Sequence, residues 1–287
     1  MRWIGRRQST NVEDRRGLST GGVVGGGLGT LVILVIAMFL GVDPSALFQE
    51  GGPAPDGGGT ATRRATDPAE DQVKQFVEVV VADTEDVWNQ LLPATIGKSY
   101  RQPTVVVFSR STQSGCGFAS AATGPFYCPA DEKIYLDLQF FEEMANRFRA
   151  AGDFAQAYVV AHEVGHHVQK SLGTLTEVNA RRGRVSNAEY NRLSVRLELQ
   201  ADFLAGVWAH HAQRTKNILE PGDIEEALTA ANAIGDDRLQ KQAQGHVVPD
   251  SFTHGTSAQR ARWFRLGFET GDMARAMDLF KLEYGQL

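Results

Sequence analysis

Cysteine is scarce in this chain. The 287 residues contain two, Cys116 and Cys128. Their spacing is not C-x-x-C, which argues against a zinc site built from them and leaves one disulfide as the most they can form. No long basic stripe follows the N-terminus, and the formal net charge is −5. Nucleic-acid binding normally needs a clustered cationic face, so that class is set aside. Internal repeats are also absent, which excludes repeat arrays. Apolar residues, by contrast, make up 42% of the chain, enough to pack one substantial domain with appendages.

Charge is uneven at the start. Arg2, Arg6, Arg7, Arg15 and Arg16 precede an uncharged stretch from Gly17 to Val42, whose second half, Leu31 to Leu40, is intensely apolar. About 20 apolar residues cross a bilayer as a helix, and Val23 to Val42 has that length. Positive residues stay on the cytoplasmic side, which predicts a cytoplasmic N-terminus and an extracytoplasmic remainder after Asp43. No small-x-small cleavage site follows Leu40, against a cleaved signal peptide. The flanks, arginines before and a Pro/Gly linker after, argue against a buried core helix. Gly51 to Gly59 reads as a flexible tether. The expected organisation is a basic N-terminus (1–22), a single membrane-spanning helix (23–42), a Gly/Pro-rich linker (43–65) and a globular domain (66–287), anchored in a cell membrane. An extracytoplasmic domain permits a Cys116–Cys128 disulfide; inverted topology would leave two unpaired small hydrophobes. Gln8, Ser9, Asn11, Glu13 and Asp14 exceed what topology needs and leave room for an unnamed cytoplasmic partner.

In the globular part, apolar spacing predicts a helix over Glu70 to Leu92, stopped near Pro93. Thr104 to Phe108 is a β-branched strand, and Pro125 to Cys128 and Lys133 to Asp137 are two short strands around a turn. Leu138 to Ala150 returns to helical spacing. Asp153 with Gln156 forms a capping-box pattern, which starts a helix at Phe154 that Gly173 ends. Ser186 with Glu189 repeats that pattern before a long helix to about His211. Pro221 to Asp223 breaks the chain before a short helix over Ile224 to Ile234. Thr256 with Gln259 caps a last helix from Ser257. Strands precede helices, an α+β layout.

His162-Glu163-Val164-Gly165-His166 reads H-E-x-x-H within an apolar, helical segment. Residues four apart on a helix share a face, so two imidazoles can grip one Zn²⁺. Glu163 is left free to take a proton from the activated water. A catalytic zinc needs a third protein ligand and an open fourth position. Glu198 and Asp202 emerge from one face of the second long helix, beside the small residues Ala205, Gly206 and Ala209. Acids at a close helix interface are costly unless paired or bound to a cation. Glu198 is therefore assigned as the ligand, and Asp202 as the acceptor for a ligand imidazole. The alternative is a solvated acidic face paired with Arg192 and Arg196.

H-E-V-G-H followed by E-L-Q-A-D is similar to the glutamate-type zincins. R-W-x-G-R-R-x-S-x-N-V-E-D-R-R-G, S-G-C-G, G-P-F-Y-C-P-A-D-x-x-I-Y-L-D and D-S-F-T-H-G-T-S-A-Q-R resemble segments of the bacterial neutral zinc metallopeptidase family. The resemblance spans nearly the whole chain. It implies a zincin-like fold with a small sheet and active-site helices, one zinc, His162, His166 and Glu198 as ligands, Glu163 as base, and a membrane anchor.

Such a site would hydrolyse peptide bonds by a zinc-activated water, with Glu163 passing the proton to the leaving amine. His254, in a loop before a helix, is the candidate donor to the oxyanion; a capping or packing role is the alternative. His167, rotated about 100° from His166, suits packing or support. His210 and His211 suit a helix C-terminus, and His246 has no assignment. The segment from Phe126 to Leu136 would pair with an extended substrate, with the disulfide pinning the loop. A protein or peptide substrate follows. Competing functions are a zinc-binding scaffold with little turnover and a cell-wall amidase.

Overall fold

The computed structural model describes residues 1–17, 67–120, 123–148, 150 and 152–287. Helix α1 (Pro68–Ile96) opens where Asp67 accepts the Ala69 N–H at 2.9 Å and Pro68 fills the first turn. It runs past the expected stop at Pro93 and ends at Gly97, in the left-handed region. A proline so near the end forfeits one hydrogen bond. The buried Val77, Val81, Trp88 and Leu92 on the same helix hold it in register regardless.

The main sheet has the order β1 (Val12–Asp14), β2 (Thr104–Phe108), β6 (Lys133–Asp137), β5 (Phe126–Cys128). The first two pairings are parallel, and β5 runs antiparallel to β6 at the edge. Side chains alternate across the pleat. Val105, Val107, Ile134 and Leu136 enter the main core beneath the helices, while Val106, Phe108 and Tyr135 form a smaller core on the other face. A hairpin of β3 (Ser111–Ser114) and β4 (Gly117–Ser120) contributes Ala119 to that smaller core. It occupies the stretch that gave no strand signal in the sequence. Cys116, in its turn, is disulfide-bonded to Cys128 at the end of β5.

Among the described residues seven further α-helices follow: α2 (Gln139–Phe148), α3 (Asp153–Leu172), α4 (Thr174–Asn179), α5 (Asn187–Lys216), α6 (Asp223–Ala233), α7 (Asp236–Gln244) and α8 (Ser257–Thr270). The expected capping box on α3 does not form. Asp153 makes no cap bond, and the Phe154 N–H is taken at 3.1 Å by Glu226 of α6. α5 passes His211 and ends at Asn217, because Ala212 is still buried and Asn217 adopts the left-handed cap. The small-residue face of α5 receives α8. A Cβ on Gly206 would stand 2.1 Å from the Phe264 carbonyl oxygen, and one on Gly267 would stand 2.0 Å from that of Phe203.

The membrane-anchored part of the expected architecture is corrected. Among the described residues no helix is long and apolar enough to cross a membrane. The expected span over 23–42 lies outside the described residues. The N-terminal segment 1–17 is no separate basic tail. β1 is hydrogen-bonded into the sheet beside β2, Trp3 packs edge-on against Phe76 at 5.5 Å, and Arg6 and Arg7 pair with Asp83, Glu85 and Asp86 of α1. A chain crossing a bilayer once between residues 17 and 67 would put the two strands of that ladder on opposite sides. Three of the arginines that suggested topology, Arg6, Arg7 and Arg16, clamp the segment to α1.

Two predictions follow from this packing. Gly267→Ala should lower stability by about 2–3 kcal/mol through overpacking at a backbone contact, read as an earlier midpoint in denaturant with unchanged slope. Glu13 of β1 is hydrogen-bonded by Arg15 and Lys133, which bring its pKa down from 4.5 to about 2. A lowered carboxylate pKa contributes stability above the unfolded value and loses it as pH falls toward the folded one. Amide exchange of residues 12–14 should therefore accelerate between about pH 4.5 and 2, and a Glu13→Gln variant should show the faster exchange already at neutral pH.

Candidate active site

Helices α3 and α5 carry the chemistry, and Gly165 sets their separation. A Cβ there would lie 3.0 Å from the Ala201 carbonyl oxygen, so the glycine inside H-E-V-G-H lets the α5 backbone lie against α3. The approach brings Glu198 onto the two histidines. Its Oε2 is 3.2 Å from His162 Nε2, and its Oε1 is 3.5 Å from His166 Nε2. The donor atoms of His162, His166 and Glu198 all lie within 4.8 Å of one another, and no fourth His, Cys, Asp or Glu joins them among the described residues. Ligand atoms at about 2.1 Å from one tetrahedral zinc stand about 3.4 Å apart. Donor set and spacing therefore fit that ion, with one position left open.

The far side of each imidazole is fixed. His162 Nδ1–H donates to Asp202 Oδ1 at 2.8 Å, and His166 Nδ1–H donates to Gln169 Oε1 at 2.9 Å. The Gln169 orientation is set in turn by its amide, which donates to the Leu197 carbonyl at 2.5 Å. In its neutral form each ring then presents an Nε2 lone pair to the common point. Asp202 is fully buried and accepts from two more groups: Tyr158 Oη–H at 2.5 Å and Arg260, whose Nε and Nη2 bond its two oxygens at 2.8 and 2.9 Å. Burial would raise its pKa, but Arg260 and His162 overcome that and bring it to about 2. Glu198 behaves likewise. Burial opposes its charge, and the imidazoles of His166, His254 and His162 hold it well below the usual range. The alternative of a solvated acidic face is overturned, since Arg196 bonds the carbonyls of Leu279 and Leu282 and Arg192 pairs with Asp250.

Tyr158, His162, His166, Glu198 and Arg260 line a cleft of about 660 Å³. Glu163 sits in it, 7% exposed, with no hydrogen-bond partner among the described residues. His254 enters from the loop before α8. Its ring Nδ1 lies 3.3 Å from Asp236 Oδ1, while Asp236 Oδ2 accepts the N–H groups of Thr253, His254 and Gly255. Loss of water opposes charge on the ring, yet Glu198 and Asp236 together raise its pKa.

The profile of the family described as "Putative neutral zinc metallopeptidase" matches residues 1–279. The chain belongs to that family. It is 50% identical over 285 residues to Uncharacterized protein YpfJ of Escherichia coli (strain K12), covering 96% of this chain and 97% of the relative. It is also 42% identical over 256 residues to Uncharacterized protein Rv2575 of Mycobacterium tuberculosis (strain H37Rv), 82% of each chain. No solved structure matches. Family membership implies zinc, and the converged His162, His166 and Glu198 are the residues that could hold it.

His167, beside the motif, clamps elements together. It lies 3.1 Å from the Tyr127 hydroxyl of β5 and donates to the Arg101 carbonyl at 2.5 Å, and burial lowers its pKa. His210 and His211 bond the Phe268 and Gly271 carbonyls. His246 does not line the cleft. Sequence reasoning missed Gln169, Asp236 and Arg260. Gln169 was findable three residues beyond His166 on one helix face. Arg260 closes the D-S-F-T-H-G-T-S-A-Q-R segment, and a buried Asp202 demanded a cation. Asp236 left no signal.

Replacing Arg260 with Gln removes the only full charge facing Asp202 among the described residues. Zinc affinity should fall about 10–100-fold, measured by competition with a chromophoric chelator. Stability should fall by about 3–5 kcal/mol.

Proposed function

We propose that this family member is a zinc-dependent peptidase, with His162, His166 and Glu198 as the metal ligands and Glu163 as the catalytic base. The observation that carries the reading is a cluster of three possible ligands that shares a solvent-connected cleft with Glu163, a glutamate without a hydrogen-bond partner among the described residues. A purely structural zinc is normally closed by a fourth protein ligand.

Bound there, zinc would supply a Lewis acid that polarises the scissile carbonyl and acidifies a water. The chain's own groups do the rest. Glu163 takes the proton of the attacking water and carries it to the leaving amine nitrogen, which its freedom from other hydrogen bonds permits. His254, steadied by Asp236, whose carboxylate together with that of Glu198 raises the pKa of the ring, donates to the oxygen on which negative charge develops. Asp202 and Arg260 hold His162 in its ligating tautomer. On one wall, Phe126 and Tyr127 of β5 border the cleft. β5 has a sheet partner on one side only, so its free edge suits an extended peptide backbone, whereas β6 lies inside the sheet.

Full-length protein should cut an unfolded protein substrate, lose the activity to a chelator and regain it with zinc. Glu163→Gln should keep one zinc per chain yet lose about 10²–10⁴ in kcat. His254→Ala should lose about 10²–10³, chiefly in kcat. Metal content by atomic absorption, beside peptide turnover, checks both. Full activity in Glu163→Gln removes the proposal. Turnover confined to purified cell wall would transfer the same chemistry to an amidase.

A further inference from the structure

Among the described residues the cleft carries one arginine that neither the metal site nor its supports account for. Of the two arginines that line it, Arg260 is neutralised by Asp202. Arg182 has no ion-pair partner among the described residues, and neither of its terminal guanidinium nitrogens has a hydrogen-bond partner among them. Its position is nonetheless fixed. Nε donates to the Tyr190 hydroxyl at 3.0 Å, and the guanidinium lies 5.1 Å from the Tyr190 ring centre. The Tyr190 hydroxyl is in turn 3.4 Å from Asn179 Oδ1. Asn179 also lines the cleft, and its amide nitrogen adds another donor. A guanidinium anchored through Nε and open at both terminal nitrogens is prepared for bidentate binding of a carboxylate.

Local charge points the same way. Residues 180–185, between α4 and α5, include Arg181, Arg182 and Arg184 and no acid, in a chain whose net charge is −5. None of the three makes an ion pair among the described residues. The turn that carries Arg182 is therefore locally positive, opposite in sign to the molecule as a whole.

Register on α5 gives the distance from the chemistry. Tyr190, Ser194 and Glu198 line the cleft at four-residue spacing, one face of one helix. Eight residues at 1.5 Å rise place Tyr190 about 12 Å from the metal ligand. An extended substrate advances about 3.3 Å per residue. Resting on the peptidase reading above, we propose that Arg182, held by Tyr190, binds a substrate carboxylate about two to four residues from the scissile bond, so that the enzyme prefers acidic peptides or peptides ending there in a free carboxylate.

Two arms test this. In the first, the zinc-loaded Glu163→Gln protein is titrated with fluorescent alanine-rich decapeptides. These carry a single Glu, Gln or Lys at successive positions, together with pairs ending in a free or amidated C-terminus. One Glu peptide, or one free-carboxylate peptide, should bind about tenfold tighter than its neutral twin, and which of the two does so identifies the source of the carboxylate. The ratio should fall to about one with Arg182→Gln added, invert toward Lys with Arg182→Glu, and shrink with salt. Equal binding of all twins, or a preference that survives Arg182→Gln, overturns the proposal. The second arm measures kcat/KM for the same peptides with Glu163 intact, where the same ratio should appear. If no peptide is cut, the peptidase reading fails, and the binding arm still decides the role of Arg182.

Discussion

A carboxylate without access to water must be answered by donors on every side, and in this protein that carboxylate is Asp202. Tyr158 and His162 reach it from α3, Arg260 reaches it from α8, and Asp202 itself belongs to α5. Three helices thus meet at one buried charge. Leaving any of these donors out would strand a charge or a polar group in the core, at a cost of several kcal/mol. The arrangement is consequently all-or-none, and it fixes the ring of His162 to which the metal chemistry is tied.

Close backbone packing makes the meeting feasible. Gly165 admits α5 against α3, and Gly206 with Gly267 admits α8 against α5. Glycine costs helix stability in isolation. Here it lets a carboxylate on one rod reach imidazoles on another with short side chains, which hold position better than long ones. On the other side of α3, His167 ties the helix to Tyr127 of β5, which joins the cleft wall to the helix that carries His162 and His166. The disulfide to Cys116 holds the far end of that strand under the hairpin.

The N-terminal segment shows how one sequence signal can have two physical causes. Arginines before a long apolar stretch have the pattern of a topology determinant, yet Arg6 and Arg7 answer acids on α1, and Arg16 answers Asp14 and Asp71. Composition alone cannot separate the two, because the acids on α1 lie 55 to 79 residues away in sequence. Similarly, nothing in the local sequence marks Arg182 as a residue of the cleft, which the tertiary structure alone reveals.

What the sequence determined by itself was local. The helical spacing of His162 and His166, the pairing of Glu198 with Asp202, the β-branched strand over Thr104 to Phe108 and the caps at Ser186 and Thr256 all depend on neighbours within a few residues. Steric and hydrogen-bonding rules act at that range. Tertiary structure decided everything whose partner is distant in the chain: Glu226 capping α3, Arg260 neutralising Asp202, Asp236 holding His254, and β1 joining the sheet. Those contacts arise because buried charges and open backbone groups must find partners wherever packing supplies them, and a linear pattern does not say which of many candidates packing will bring near.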